Sequence, residues 1–344
     1  MLVCNVSLRP PRTAIAAAVA EISAAVDALA SGNVVFATLV DDPASVGDIV
    51  DAYSGEIMIE AASASDAWTA AMPVLGVIIE GATATDTQDG APPPSAWTPA
   101  NLGFALRAWY KFDTLTGSDG DLQGSVTDAS INGFTLTQTG TARPMLAAAH
   151  QNGLNTLRWN IGVANQFYPL ANAIFSGSSA GSAYIVFRLF ADVSNMGLMD
   201  WGSSGNSSHW PYIDGNIYCD FGSNVRKTVG NPSVTQEAYR IYSIYSAASD
   251  WAFYIDGGTG GPSGGTSPFY STASNTVGWN AGSVQLGNNS AANYLNGWIA
   301  EIVFTNAKQS TTDRQKMEGY LAHKWGLTGN LDSTHPYKST PPPP

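Results

Sequence analysis

The sequence predicts a mainly β protein, a β-sandwich closed by a terminal helix and preceded by a small α+β N-terminal module. Three observations predict it. Only 12% of the 344 residues are charged, about half the roughly 25% usual in a globular domain, while the hydrophobic fraction is an ordinary 44%. The missing charge is replaced by 35 Gly and by Ser, Thr, Asn and Ala, which are turn formers and small residues rather than apolar bulk. The chain also carries 10 Trp, 14 Tyr and 12 Phe, residues that pleated, half-buried surfaces take up. This balance excludes a disordered chain, and no stretch reaches the roughly 18 apolar residues of a membrane-spanning helix. A net charge of −12 argues against a nucleic-acid binder, whose phosphate contacts need clustered Lys and Arg.

From the N-terminus, Arg9 and Arg12 precede an Ala-rich run, Ala14 to Ala20, that is too short for the core of an export signal and is ended by Glu21. Ile15, Val19, Ile22, Val26 and Leu29 alternate spacings of four and three, an apolar seam on a helix of about 17 residues. Two heptads do not hold a coiled coil alone, so the seam is expected to pack on its own module or on a symmetry mate, with a trimer as the working expectation. Ile57–Asp66 is repeated 20 residues later as Val77–Asp86, identical at positions 59, 60, 62, 64 and 66 and exchanging Ser for Thr at 63 and 65. Alternating Ala with Ser or Thr has the period of a strand with one face of small side chains, compatible with a repetitive β-module or a hairpin pair. Asp66 and Asp86 close the two copies as turn residues. Residues 1–90 thus form one module, and 91–99, opening Ala91-Pro92-Pro93-Pro94-Ser95, a stiff linker.

Residues 100–344 read as short strands separated by turn clusters. The strongest are Ala105–Phe112, Thr156–Asn160, Ala183–Phe190, Tyr239–Tyr245, Trp251–Ile255, Ser283–Leu286 and Trp298–Phe304. Strict alternation in the last places Trp298, Ala300, Ile302 and Phe304 on one face and Ile299, Glu301 and Val303 on the other. Asp214-Gly215 and Asp256-Gly257 are hairpin-turn signals, and Gly/Ser-rich loops fall at 176–182, 202–208 and 257–267. A helix follows over Ser310–Gly326, opened by Thr312 reaching Gln315 or Ser310 reaching Asp313 and ended by Gly326, with Met317, Tyr320, Leu321 and Trp325 on one face. The tail, Pro341 to Pro344, is extended.

Leu295-Asn-Gly-Trp-Ile-Ala-Glu-Ile-Val-Phe304, then Arg314-Gln-Lys-Met-Glu-Gly-Tyr-Leu-Ala-His-Lys-Trp-Gly-Leu327 and His335-Pro-Tyr-Lys338, resemble the C-terminal signature of the concanavalin A-like, laminin-G-like (LamG-like) jelly rolls of bacteriophage and marine bacterial proteins. Trp109–Asp113, Asp128–Gly133, Leu198–Gly202 and Phe253–Gly257 extend the resemblance over roughly 100–340. It departs at Ser130-Ile131-Asn132-Gly133, where members often carry Ser-Gly-Asn-Gly. The repeats of 57–87 resemble segments of phage virion proteins. The resemblance implies a virion structural protein, a capsid decoration or fibre whose residues 1–90 anchor it to capsid, neck or tail proteins and whose jelly roll meets host glycans at the virion surface. The alternative it leaves is a tail-borne receptor-binding protein, or a carbohydrate-binding module of a secreted glycan-active protein.

For chemistry, retaining glucanases of this architecture need two carboxylates about 5–5.5 Å apart, commonly as Glu-x-Asp-x-Glu on one strand. Beyond the linker the glutamates are Glu237, Glu301 and Glu318, none in that spacing, and His150, His209, His323 and His335 lie near no G-x-S-x-G. The expectation is therefore no enzyme and no resident cofactor. Sugar recognition needs aromatic faces beside polar acceptors, which 201–220 supplies as Trp201, His209, Trp210, Tyr212, Asp214 and Asn216. Asp119, Asp121 and Asp128 are candidate Ca2+ ligands, although Gly117–Asp121 lacks the acidic spacing of an EF-hand loop. Cys4 and Cys219 lack metal-ligand spacing and are read as buried thiols or as an interchain disulfide.

Overall fold

The computed structural model describes residues 2–7, 35–40, 58–61, 78–79, 96–160, 165–191, 195–258, 267–289 and 293–344. The chain divides into two compact units, Met1–Ser95 and Ala96–Pro344. In the first, β1 (Leu2–Ser7), β2 (Val35–Val40), β3 (Met58–Ala61) and β4 (Ile78–Ile79) form a four-stranded sheet in chain order. All three pairings are parallel. Met58 pairs with Ile78 and Ile59 with Ile79, so the two copies of the repeat stack in register, 78 − 58 being the repeat length of 20. The hairpin reading is thereby corrected, because a hairpin would make the pair antiparallel. The seam Ile15, Val19, Ile22, Val26 and Leu29, the turn residues Asp66 and Asp86, and the proline run lie outside the described residues.

The second unit is a β-sandwich jelly roll. Its strands in chain order are β5 (Leu106–Lys111), β6 (Ser125–Val126), β7 (Leu136–Thr137), β8 (Met145–Gln151), β9 (Leu154–Trp159), β10 (Tyr168–Leu170), β11 (Ala180–Leu189), β12 (Ile217–Cys219) and β13 (Lys227–Gly230). They continue as β14 (Arg240–Ala247), β15 (Asp250–Ile255), β16 (Tyr270–Thr272), β17 (Val284–Leu286) and β18 (Gly297–Thr305), before helix α1 (Thr311–Trp325). One layer is an eight-stranded sheet, β16-β15-β14-β11-β18-β9-β8, in which β5 also pairs with β18. The first residues of β18 pair with β9 and the later ones with β5. The facing layer is broken into three two-stranded ladders, β10-β17, β12-β13 and β6-β7. Between them lies the main core, in which Trp159, Phe187, Trp201, Trp251 and Phe304 are fully buried.

Helix α1 covers the other face of the sheet. Ser310 caps it, its Oγ accepting from the Asp313 N–H at 3.1 Å, and Gly326 ends it at φ +69°. Met317, Leu321, Ala322 and Trp325 pack on Trp109, Tyr184 and Val303 in a second apolar cluster. With both faces covered along most of their length, β11 and β18 are buried almost continuously rather than at every second residue.

A bulge corrects the expected phase of β18. The register slips between Val186 and Phe187 of β11, opposite Glu301 and Ile299. Ile299, Ile302 and Phe304 therefore face the main core, while Ala300 and Val303 face the helix. Glu301 ends on the helix side, fully buried, where Oε1 accepts from Trp109 Nε1 (2.5 Å) and Tyr320 Oη (3.0 Å) and Oε2 accepts from Trp325 Nε1 (2.7 Å). Lys324 Nζ lies 2.8 Å from Glu301 and 2.8 Å from Asp113. Glu318 is equally buried, bound by Arg314 at 2.8 Å and by His335 Nε2 at 3.3 Å. Burial pushes the Glu318 carboxyl up, but the Arg314 charge and the hydrogen bonds from His335 and Arg314 outweigh it and hold it below the ordinary glutamate range. The Glu-, Trp- and His-bearing C-terminal signature thus ties helix and tail to the sheet through buried charge.

Candidate functional site

Two groupings in the described residues carry chemistry, and both grow from the segment 198–226. The first begins with a short repeat, Asp200-Trp-Gly-Ser203 and Asp220-Phe-Gly-Ser223. The copies lie against each other: Ser203 N donates to Ser223 O at 2.9 Å, and Gly202 N to Asp220 Oδ1 at 3.3 Å. A Cβ on Gly202 would stand 2.1 Å from the Asp220 carbonyl oxygen, so only glycine permits this approach. Trp201 and Phe221 anchor both copies in the main core around Phe175.

This packing sets the Asp200 and Asp220 carboxyls in hydrogen-bond contact. Asp220 is fully buried and accepts from the hydroxyls of Ser204 and Ser208, both at 2.8 Å. Asp200 is partly buried and accepts from Ser208 N at 3.2 Å. Among the described residues no lysine or arginine pairs with either acid. Burial, then the Asp220 charge, pushes the Asp200 carboxyl up to about 8. The pair therefore holds a proton at neutral pH, with Asp200 a protonated acid beside a second carboxyl. Carboxyls in direct contact are closer than the about 5–5.5 Å of a retaining glycosidase pair. Their oxygens and the two serine hydroxyls are hard donors of the kind Ca2+ takes, although no group of three or more His, Cys, Asp or Glu gathers among the described residues.

The second grouping is a hairpin. His209 and Tyr218 exchange backbone hydrogen bonds at 2.8 and 2.9 Å, and Tyr212 N donates to Asn216 O, closing the Asp214-Gly215 turn with Gly215 at φ +79°. Asp214 Oδ1 accepts from Asn216 N (2.9 Å) and Oδ2 from Tyr218 Oη (2.8 Å). Hydrogen bonds from Asn216 and Tyr218 hold the Asp214 carboxyl below the ordinary aspartate range, and the same bond raises Tyr218. Tyr212 packs edge-on against His209 and Tyr218, with centroids 4.8 and 5.8 Å away, and Arg226 lies over the Tyr218 ring at 4.8 Å. Burial and the Arg226 charge lower the His209 pKa. Tyr212, Ile213 and Val225 are exposed here, an apolar rim beside fixed polar groups.

Of the six residues expected to bind sugar, the structure brings His209, Tyr212, Asp214 and Asn216 to this hairpin. Trp201 and Trp210 are each 1% exposed and belong to the main core, so they offer no face to a ligand. Their size made them look like platforms, and the same size makes them core residues. The Ca2+ candidates do not converge. Asp128 is buried and accepts from Trp109 N, Ser130 N, Ser130 Oγ and Phe134 N at 2.7–2.9 Å, organising its own turn. Asp119 accepts from Ala148 N at 3.1 Å and Asp121 from Ser118 N at 2.7 Å. Cys219 is a buried free thiol, 2% exposed, which removes it from an interchain disulfide; Cys4 lies on β1 and its side chain is outside the described residues.

No known family's sequence profile matches the chain, and no curated protein matches it. Solved structures do. Domain 4 of AbnA, a GH43 extracellular arabinanase from Geobacillus stearothermophilus in complex with arabinotriose, is 14% identical over 60% of this chain and 95% of its own, at a TM-score of 0.41. An arabinofuranosidase complexed with arabinofuranosyl-alpha-1,2-xylobiose is 14% identical over 64% of this chain and 63% of its own, at 0.43. Trypanosoma rangeli sialidase in complex with sialic acid is 13% identical over 64% of this chain and 33% of its own, at 0.39. At such scores the likenesses assign no activity to this chain. The expectation of a non-catalytic protein is nevertheless not retained, since glycosidases and a sialidase are among the similar structures; the Asp200–Asp220 pair is not the glucanase arrangement whose absence carried it.

Proposed function

We propose that residues 96–344 are a glycan-binding module of a larger glycan-active assembly, with the 209–218 hairpin and Arg226 as its contact surface. The observation that carries this reading is the exposed Tyr212 ring beside Asp214, whose carboxylate is fixed by Asn216 and Tyr218 yet keeps free lone pairs to accept from sugar hydroxyls. An aromatic body with a polar tip, held rigid by its neighbours, loses little entropy on binding. The test is a glycan array followed by titration calorimetry on the best neutral oligosaccharide. Tyr212→Ala and Asp214→Asn are expected to weaken binding by about tenfold each, in line with losing one aromatic contact or one charge-assisted hydrogen bond. A parent chain that binds nothing, or variants that bind like the parent, would overturn the reading.

The proposed carrier of the module is a bacteriophage particle, with residues 1–90 as the anchor. The resemblance of the C-terminal signature and of the 57–87 repeat to phage proteins is what supports it. Deleting 1–90 is expected to leave a folded β-sandwich that no longer co-sediments with particles, and retained association would sink the anchoring role.

A further inference from the structure

The helix-bearing face of the large sheet carries a row of side chains unlike the rest of this acidic chain. Strand pairing sets Arg158 opposite Trp298 and Trp298 opposite Arg188. Directly opposed residues of antiparallel strands emerge side by side. Leu157, Trp159, Phe187, Leu189 and Ile299, their neighbours in sequence, all point into the main core, which fixes the row on the opposite face. Trp298 packs only partly against the helix cluster. The Arg188 guanidinium lies 4.8 Å from its ring centroid, and the His150 ring stacks on it at 5.1 Å and 19°. Phe190, 62% exposed, stands 6.1 Å away.

Among the described residues, Arg107, Arg143, Arg226, Arg240 and Arg314 each donate to an oxygen, carbonyl or carboxylate. Arg158 and Arg188 do not. Their Nε atoms are buried without a partner, and the contact made by Arg158 is to the Met145 sulfur at 3.5 Å. The acid nearest in influence is Asp119, which acts on His150 against both arginines and is itself engaged by Ala148 N. His150 is in turn held by the Tyr239 hydroxyl at 3.0 Å. Among the described residues neither guanidinium has an acid partner, so this row holds two uncompensated positive charges that an anion would pair.

We propose that Arg158, Trp298 and Arg188 form a binding site for an anionic sugar, a residue bearing a carboxylate or a sulfate group. The guanidinium forks match the planar or tetrahedral oxyanion, and the exposed Phe190 supplies apolar surface for the sugar's C–H face. The Trp298 ring orients Arg188 through its π-face, so the fork is held in place before the ligand arrives. A chain of net charge −12 repels polyanions elsewhere, so binding concentrates at this row. The site uses no residue of the 209–226 hairpin and stands or falls apart from it.

The test uses the full chain at low salt, reading tryptophan fluorescence and calorimetry. The probes are a trigalacturonate, a heparin-derived hexasaccharide, neutral cellohexaose and a single-stranded oligonucleotide. At least one anionic sugar is expected to bind, more weakly as salt screens it, and the two anionic arms separate carboxylate from sulfate recognition. Arg158→Gln and Arg188→Gln are expected to weaken that binding by about tenfold or more, while Tyr212→Ala leaves it unchanged. Arg188→Lys keeps the charge without the fork and gives a second measurement should Arg188→Gln fail to fold. No anionic sugar bound by the parent, equal binding by the arginine variants, or an oligonucleotide bound as tightly as the sugar would each overturn the proposal.

Discussion

Replacing Asp200 by Asn tests the carboxyl pair directly. In the unfolded chain the Asp200 carboxyl titrates near 3.8, and in the folded chain near 8. Between those values the folded state binds a proton that the unfolded state has released, so stability must fall as pH rises from about 4 to about 8. A shift of that size would correspond to about 6 kcal/mol if undiminished, since one pKa unit is about 1.4 kcal/mol. Asp200 is only partly buried, and solvent screening brings the expected loss to about 2–3 kcal/mol, most of it between pH 5 and 9. In Asp200→Asn the new amide can donate to Asp220 without a titrating proton, and its carbonyl can still accept from Ser208 N. The variant should therefore match the parent near pH 5 and exceed it by about 2 kcal/mol at pH 9, a rise of about 4–8 °C in melting temperature for a unit of this size. Melts followed by tryptophan fluorescence at pH 5, 7 and 9 provide the measurement. Parallel pH curves for parent and Asp200→Asn would refute the shared proton. A millimolar calcium series on both proteins then shows whether a cation replaces it, as a rise in the parent that the variant lacks.

Glu301→Gln puts an amide donor where Trp109, Tyr320, Trp325 and Lys324 all need an acceptor, and should cost about 3 kcal/mol, or about 6–12 °C. A loss below about 1 kcal/mol in urea titration would show that the carboxylate does not hold helix to sheet. Gly202→Ala drives a methyl into the Asp220 backbone and should cost about 2 kcal/mol or more while separating the two acids. It is therefore expected to lose the alkaline fall in stability as well, and a variant that kept the parent's pH slope would place the cause elsewhere.

The elements legible in the sequence were those whose signals are local. Ser310 and Gly326 bracket a helix observed as Thr311–Trp325, and the aromatic, β-branched runs at 183–190, 239–245 and 251–255 fall on β11, β14 and β15. The strand β8, Met-Leu-Ala-Ala-Ala-His-Gln, was not, because its alanines carry no strand propensity and it is held extended by its neighbours, β9 on one edge and the 119–123 segment on the other. The phase of β18 was misread for a related reason. A bulge is set by the neighbouring strand, and nothing in Trp298–Phe304 announces that Ile299 and Ile302 will share a face.

The same contrast separates the hairpin from the acid pair. Asp214-Gly215 is a turn written in adjacent residues, so the polar edge it presents could be placed in advance. Asp200 and Asp220 meet only because Trp201 and Phe221 pack into one core and Gly202 lets the second copy close on the first. Their signal was nonetheless present as the twin Asp-aromatic-Gly-Ser at 200–203 and 220–223. A search for paired carboxylates that expects both on one strand passes over two acids on packed, repeated turns, and a tally of glutamates passes over aspartates altogether. The scarcity of Glu beyond residue 100 therefore speaks against one particular catalytic arrangement, while the chemistry the fold does assemble rests on an aspartate pair in which partial burial and the neighbouring charge raise Asp200 to about 8.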